Sequence, residues 1–400
     1  MRASVFVLGL ALGSQGCGFQ SQPASQDQLD AALVDGASPG EDADVPSDSG
    51  SGGGDGCVSF SSQLDTCRLP AAADLQILIN ATYDTNSGEL RAAGLVVPTT
   101  HMRLMTNDGG PIDAIIAHNV TFSPTVILRA TGLVPFAIVA TGTISLQGTA
   151  QINIADGGAG APNACATLPS PGADRPNSAG GGGGGGGFGA PGGNGGAGNK
   201  DAATIGVGNG PSPIPPGLRG GCPGGRGGVG GAPGGSGGLA GGALYLVAAG
   251  GIEFGDGVVL TAGGGGGNGG ALTNSTSPAI GNAGGGGGGS GGMIMLESPH
   301  VVGTTAKVAA NGGGGGEGSD TKNAGKAGIT ALTTEDRTPG GGGAVVDGSD
   351  GGAGGSVEFS GGSSVSDMFN GGGGGGGGSV GYIRIVSGDI QLGSVSPAAH

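Results

Sequence analysis

Apolar positions alternate with small or polar ones in a unit that begins at residue 136 and recurs, whole or in part, near residues 244, 296 and 385. Phe136-Ala-Ile-Val-Ala-Thr-Gly-Thr-Ile144-Ser-Leu146 aligns without gaps on Leu244-Tyr-Leu-Val-Ala-Ala-Gly-Gly-Ile252-Glu-Phe254, and the match continues to Ile152 and Leu260. A looser third copy reads Leu296-Glu-Ser-Pro-His-Val301-Val302, and a fourth reads Ile385-Val-Ser-Gly-Asp-Ile390-Gln-Leu392 with no third segment. Gly142 and Gly148 divide the first copy into three strand-sized pieces, 136–140, 143–147 and 150–154. Period-two alternation between glycine turns predicts short strands, and a unit repeated at this size predicts equivalent strands stacked above one another. The expected fold is therefore mainly β, a right-handed parallel β-helix or solenoid-like repeat over residues 126–400, with an antiparallel sandwich or jelly roll as the competing arrangement. Upstream, residues 57–125 read as a β-rich entry or cap region: Leu75, Ile77 and Ile79 alternate with their neighbours, and 112–120 and 126–128 add further strands.

Between the copies the chain makes glycine-rich excursions at about 155–241, 263–291 and 311–380, which hold most of its 105 glycines. In the first, glycine falls at 180, 183, 186, 189, 192, 195 and 198, and Gly-Gly-x triplets recur over 224–238 with a slip at Pro233. Three residues per turn is the repeat of the extended polyproline-II conformation, and glycine at every third position lets such helices approach until their backbones hydrogen-bond. The pattern resembles the polyglycine-II bundles of some tail-fibre adhesins and antifreeze proteins. The homopolymer tracts Gly284 to Gly289 and Gly371 to Gly378 have no periodicity to read, and flexible linker is an equal alternative for them.

With 9 Phe, 3 Tyr and no Trp, a core has to be built from Val, Ile, Leu and Ala, which suits a narrow stack. Residues 18–56 contain acids from Asp27 to Asp55 and neither Lys nor Arg, so about half of the net charge of −15 lies in one segment. Such a segment buries too little apolar surface to order and reads as a disordered, self-repelling linker. An acidic chain with its charge so placed argues against nucleic acid as a partner.

Residues 1–17 hold one cation, Arg2, an apolar run from Val5 to Leu12, and then Gly16-Cys17. That run is too short to span a bilayer and reads as a secretory signal. A small residue ahead of a cysteine resembles the lipobox of bacterial lipoproteins, although Ser14 and Gln15 depart from its usual pattern. The resemblance implies lipidation at Cys17 and, with Gly18 in place of Asp, attachment to the outer membrane or cell surface; without the lipid the protein would be secreted.

Four cysteines remain, and nearest-neighbour pairing, one of three connectivities, joins Cys57 to Cys67 and Cys165 to Cys222. No CxxC and no nearby histidine suggests a metal site at any of them. His101, His118, His300 and His400 lie far apart and form no HxxxH or HExxH motif. The GxSxG matches at Ser236, Ser290 and Ser379 lie in glycine-rich tracts and form no nucleophile elbow, and no P-loop occurs. Asp347, Asp350 and Glu317 sit in glycine loops but lack the spacing of calcium-binding repeats. Ser145, Glu253 and Gln391 fall at one outward position of the repeat, and Thr143, Gly251 and Asp389 near another. No catalytic residue, cofactor or metal ligand is assigned.

Taken whole, the chain resembles the glycine-rich surface lipoproteins of Gram-negative bacteria, on its Cys17 signal, acidic linker and Gly-interrupted β-repeats. That resemblance implies a non-enzymatic cell-surface protein with an adhesive or envelope-structural role. Its partners would be the outer membrane, through the lipid, and an extracellular polysaccharide or another cell surface. A β-helix polysaccharide-binding protein or polysaccharide lyase or hydrolase is the alternative, and a polyglycine-II ice-binding module a further one.

Overall fold

A computed structural model of the chain describes residues 58–161, 165, 167–199, 201–212, 217–272, 282–342, 349–356 and 371–400. Cys17, the linker 18–56 and Cys57 lie outside the described residues.

The protein is mainly β, with parallel and mixed sheets. Its first strands are β1 (Leu75–Ile77), β2 (Ala81–Asp84), β3 (Glu89–Ala92), β4 (Leu95–Val97) and β5 (Thr100–Met105). Three units of three strands follow: β6 (Pro111–Ala117), β7 (Val120–Phe122) and β8 (Ile127–Thr131); β9 (Phe136–Ala140), β10 (Thr143–Leu146) and β11 (Gln151–Asn153); β12 (Ala243–Ala248), β13 (Gly251–Phe254) and β14 (Val259–Thr261). The last two units have two strands each, β15 (Met293–Glu297) with β16 (His300–Ala309), and β17 (Tyr382–Val386) with β18 (Asp389–Ser396).

Equivalent strands of successive units pair in parallel. Phe136 of β9 sits opposite Asp113 and Leu244, and Leu244 in turn opposite Ile294. A second row runs Val120, Ile144, Ile252, Val301 and Ile390, and a third Leu128, Ile152, Leu260, Val308 and Val395. Inward members such as Ile138, Ile144, Ile152, Leu244 and Leu260 are fully buried in one cluster. Each such side chain stabilises the fold by roughly 1.5–3 kcal/mol.

The strands β6, β9, β12, β15 and β17 lie in a six-stranded sheet whose middle members are buried on both faces, which is why they read as continuous apolar runs. A second cluster covers the outer face, where Leu64 from the N-terminal side and Phe188 and Leu218 from the first excursion pack on Val139, Tyr245 and Met295. The Phe188 ring meets Tyr382 edge-on with centroids 5.0 Å apart.

Three differences from the expected organisation have local causes. Parallel pairing already begins upstream of residue 126, with β1 on β7, β2 on β8 and β6 on β9, so residues 111–131 are a full unit and not a cap. The capping is done by β3, β4 and β5, which add antiparallel to β2 and β6 and close the edge hydrogen bonds of the first units. The last copy does possess its third segment, since Ser394, Val395 and Ser396 of β18 pair with Lys307, Val308 and Ala309. With a single inward apolar residue, Val395, that segment carries no alternation. The third copy is loose because β16 fuses two segments and shifts register between Gly303 and Lys307; a Cβ on Gly303 would crowd Phe254.

Each excursion departs from the end of the third segment of one unit and returns at the start of the next. Ile154 N donates to Thr261 O, Ala262 N to Ala309 O and Ala310 N to Ser396 O, so the departures stack; Met293 N to Gly242 O and Tyr382 N to Gly292 O stack the returns.

The excursions build a lattice of extended segments joined backbone to backbone, with partners alternating every third residue. In residues 284–291, the N–H groups of 284, 287 and 290 reach 228, 225 and 222; those of 285, 288 and 291 reach 373, 376 and 379; those of 286 and 289 reach 268 and 265. The carbonyls of the same segment accept from 235, 238 and 241, from 183 and 186, and from 316 and 313. Three donated directions and three accepted ones surround the segment completely, and every residue of it is buried. Residues 180–186 and 312–318 are surrounded in the same manner. The homopolymer tract 284–289 is thus interior to the lattice, where no direction is left for a side chain. In peripheral Gly-Gly-x triplets the third residue faces outward, as Asn194, Arg226, Ser236 and Asn268 do, whereas Ala197 and Ser290 are small enough to be buried.

Close approach explains the glycine. A Cβ on Gly375 would overlap Gly286 O, one on Gly182 would overlap Gly374 O, and one on Gly286 would overlap Ser236 O. Energetically the lattice is even at best. A backbone hydrogen bond contributes about 1 kcal/mol net, while ordering one residue costs about 1–2 kcal/mol, and more for glycine. The apolar units supply the surplus, together with a disulfide between Cys165 and Cys222, 57 residues apart, whose loop closure contributes about 4 kcal/mol.

Candidate functional site

Structure brings the repeat's outward positions into rows. Ser145 lies opposite Glu253, Glu253 opposite Val302 and Val302 opposite Gln391, extended on the other side by Thr121 and Gln76. The parallel row holds Thr143 opposite Gly251, then His300 opposite Asp389. The bare Gly251 leaves room for the His300 ring, which a Cβ there would strike. Glu253 and Asp389 occupy different rows on strands that are not neighbours. This face is a ladder of hydroxyls, carboxamides and single acids.

Two buried carboxylates that join distant elements escaped the sequence reading, as did Asp320, which accepts from Lys322 N and Asn323 in its own turn. Asp113 of β6 accepts from Tyr83 Oη at 2.9 Å and from Arg103 Nη2 at 3.2 Å, with His101 Nδ1 at 3.9 Å. Arg103 Nη2 also donates to Thr85 O at 2.7 Å. Burial, then the Asp113 charge, pushes the Tyr83 phenol well above its ordinary pKa, so it stays a donor. The second is Glu297, at the end of β15. It accepts from Ser62 N at 2.6 Å, from Ser61 Oγ at 3.1 Å and from the Tyr245 hydroxyl. Burial and then the Glu297 hydrogen bond raise the Tyr245 pKa. The visible signal was one acid inside or closing an apolar strand, Pro111–Ala117 and Met293–Glu297. Both clusters fasten elements together: the first ties β5 and β6 to β2, the second ties the segment around Ser61 to the six-stranded sheet.

The remaining predicted positions are dispersed. His118 contacts Thr141 Oγ1 at 3.1 Å, and the His400 ring lies 5.7 Å from that of Tyr382. Glu317 is buried and accepts from Lys326 N at 2.9 Å; Asp347 lies outside the described residues. Cys165 and Cys222 form the disulfide already described, and Cys67 is disulfide-bonded too. Among the described residues, no group of three His, Cys, Asp or Glu side chains could hold a metal ion, and no helix is long and apolar enough to cross a membrane.

Comparison with known proteins returned no matching family, no similar curated protein and no similar solved structure.

Proposed function

We propose that the chain is a non-enzymatic cell-surface protein, lipid-anchored through Cys17 and extended from the outer membrane by residues 18–56, with an adhesive or envelope-structural role. In this reading the stacked units are a right-handed parallel β-solenoid, and the excursions are polyglycine-II helices mounted on one corner of it. The observation that carries it is the lattice. Its interior is almost entirely backbone, with buried Ser290 and Glu317 engaged by Cys222 N and Lys326 N; its amides are consumed in holding segments together, and it presents side chains at outward third positions such as Asn194, Ser236 and Asn268. A surface of that kind suits repeated weak contacts with a glycan or a neighbouring cell, since many small contacts sum through effective concentration.

Deleting residues 155–241 in the producing cells tests the reading. Attachment of cells to a surface or to one another should fall severalfold while the protein remains membrane-associated. Unchanged attachment would remove the adhesive role, and purified protein that depolymerised a polysaccharide would replace it with an enzymatic one.

A further inference from the structure

The outer face of the first units contains a cleft of about 400 Å³ that is unrelated to the lattice. Thr82 of β2 stands between two arginines, Arg91 directly opposite on β3 and Arg129 directly opposite on β8. All three are exposed on the same face, and two interstrand spacings, roughly 10 Å, separate the arginine backbones. Ile127, two residues before Arg129, contributes an apolar patch at 36% exposure. Asn80 accepts from Ile127 N through Oδ1 at 2.9 Å, which aims its amide nitrogen away from the backbone. The tight turn Ala93-Gly94, with φ of 49° and 79°, closes one end.

Charge decides what fits. Arg91 is held by Glu89, whose Oε2 accepts from Nε at 3.0 Å and from Nη2 at 2.6 Å. Arg129 makes only a long 3.4 Å bond to Asp156 O and has no carboxylate partner among the described residues. The cleft therefore carries a single uncompensated positive charge in a molecule of net charge −15. Arg129 retains a free guanidinium edge able to take a carboxylate in two parallel bonds. Ile127 matches the apolar face of a sugar ring, and Asn80 and Thr82 match its hydroxyls. Beyond the cleft the row of Ile127 continues through Gln151 and Val259 to Lys307, so a polymer crossing the strands keeps meeting outward side chains.

We propose that the cleft between Arg91 and Arg129 binds a carboxylated sugar unit of an acidic polysaccharide, with Arg129 taking the carboxylate. The site belongs to the β core, so it stands or falls separately from the adhesive role given to the lattice.

Affinity electrophoresis of the full-length chain through gels containing polygalacturonate tests this. Retardation is expected with the free-acid polymer and not with its methyl ester. Arg129→Ala should weaken it at least about tenfold, the loss expected for a charge-assisted hydrogen bond, and Arg129→Lys less. Arg68→Ala, a surface control paired with Asp65, should change nothing. Circular dichroism of each variant reports folding, and Arg129→Lys serves if the alanine variant is unfolded. Equal retardation by the methyl ester, unchanged retardation of the Arg129 variants, or stronger retardation by dextran sulfate would overturn the proposal.

Discussion

The stacked β units and the glycine lattice are two solutions to one problem, ordering a long chain with few aromatic residues. In the units, side chains do the work: Ile144, Ile252 and Leu260 disappear between sheets, and the backbone only has to stay in register. In the lattice the backbone does it, because nothing projects from Gly284 to Gly289 and each amide finds a neighbouring segment. The contrast teaches that the two regions differ in what they tolerate and in which depends on the other. A core built on transfer free energy stands by itself. Hydrogen bonds that barely offset chain entropy need a platform.

The largest expected effect tests that dependence. Leu246→Ala empties a fully buried site in β12, between Ile138 and Leu296, and should destabilise the protein by about 2–5 kcal/mol. Hydrogen exchange should accelerate in both regions. Protection retained in residues 284–291 while the strands open would show that the lattice folds independently.

A smaller effect should follow from Gly375→Ala, whose new Cβ overlaps Gly286 O in a place with no flexible side chain to yield. Overpacking of this kind costs typically 1–3 kcal/mol. Exchange should accelerate in the segments around residues 284–291 and 313–316, leaving β9 and β12 protected. Asn194→Ala, at an outward third position, removes an exposed hydrogen bond from Gly208 N at 3.0 Å and should cost no more than about 1 kcal/mol on thermal unfolding. Equal damage from the two would refute the distinction between interior and peripheral segments.

The smallest effect is electrostatic. The Arg226 hydrogen bond, followed by that from Val229 N, holds the Asp174 carboxyl below the usual range against slight desolvation. Because the folded value is depressed, the contact stabilises above the unfolded carboxyl pKa of about 3.9 and is lost as pH falls through the lower folded value. Both side chains are substantially exposed, so screening should keep the effect below about 1 kcal/mol. Stability of Asp174→Asn measured against pH should lack this acid step; an unchanged profile below about pH 4 would place the step elsewhere.

Much of the β architecture was legible in the sequence because its period is carried by side chains. The gapless alignment of Phe136 on Leu244 is the pairing register itself. The Ser145 and Glu253 positions share a row for the same reason. The sequence hid what side chains do not announce. Residues 111–131 form a unit whose likeness to the others is masked by Asp113 and by a shorter connection to β9. Val395 is too solitary to show alternation. The interior of the lattice is the extreme case, since a tract of pure glycine can record neither its phase nor its neighbours. Cys165 with Cys222 could be proposed from proximity, whereas the Asp113 and Glu297 clusters depend on Tyr83 and Ser61, brought from distant elements.

The three-residue alternation of lattice partners also constrains how the excursions can change in length. Removing or adding one residue within a Gly-Gly-x segment turns the outward residue inward, so Asn194 or Ser236 would point at a carbonyl of the next segment. Removing or adding a whole triplet restores the phase and merely shortens or lengthens the projection. The sequence between two anchor points is therefore a ruler graduated in steps of three residues. Variation among natural forms of this protein should accumulate as in-phase triplets, confined to positions where the chain already meets solvent.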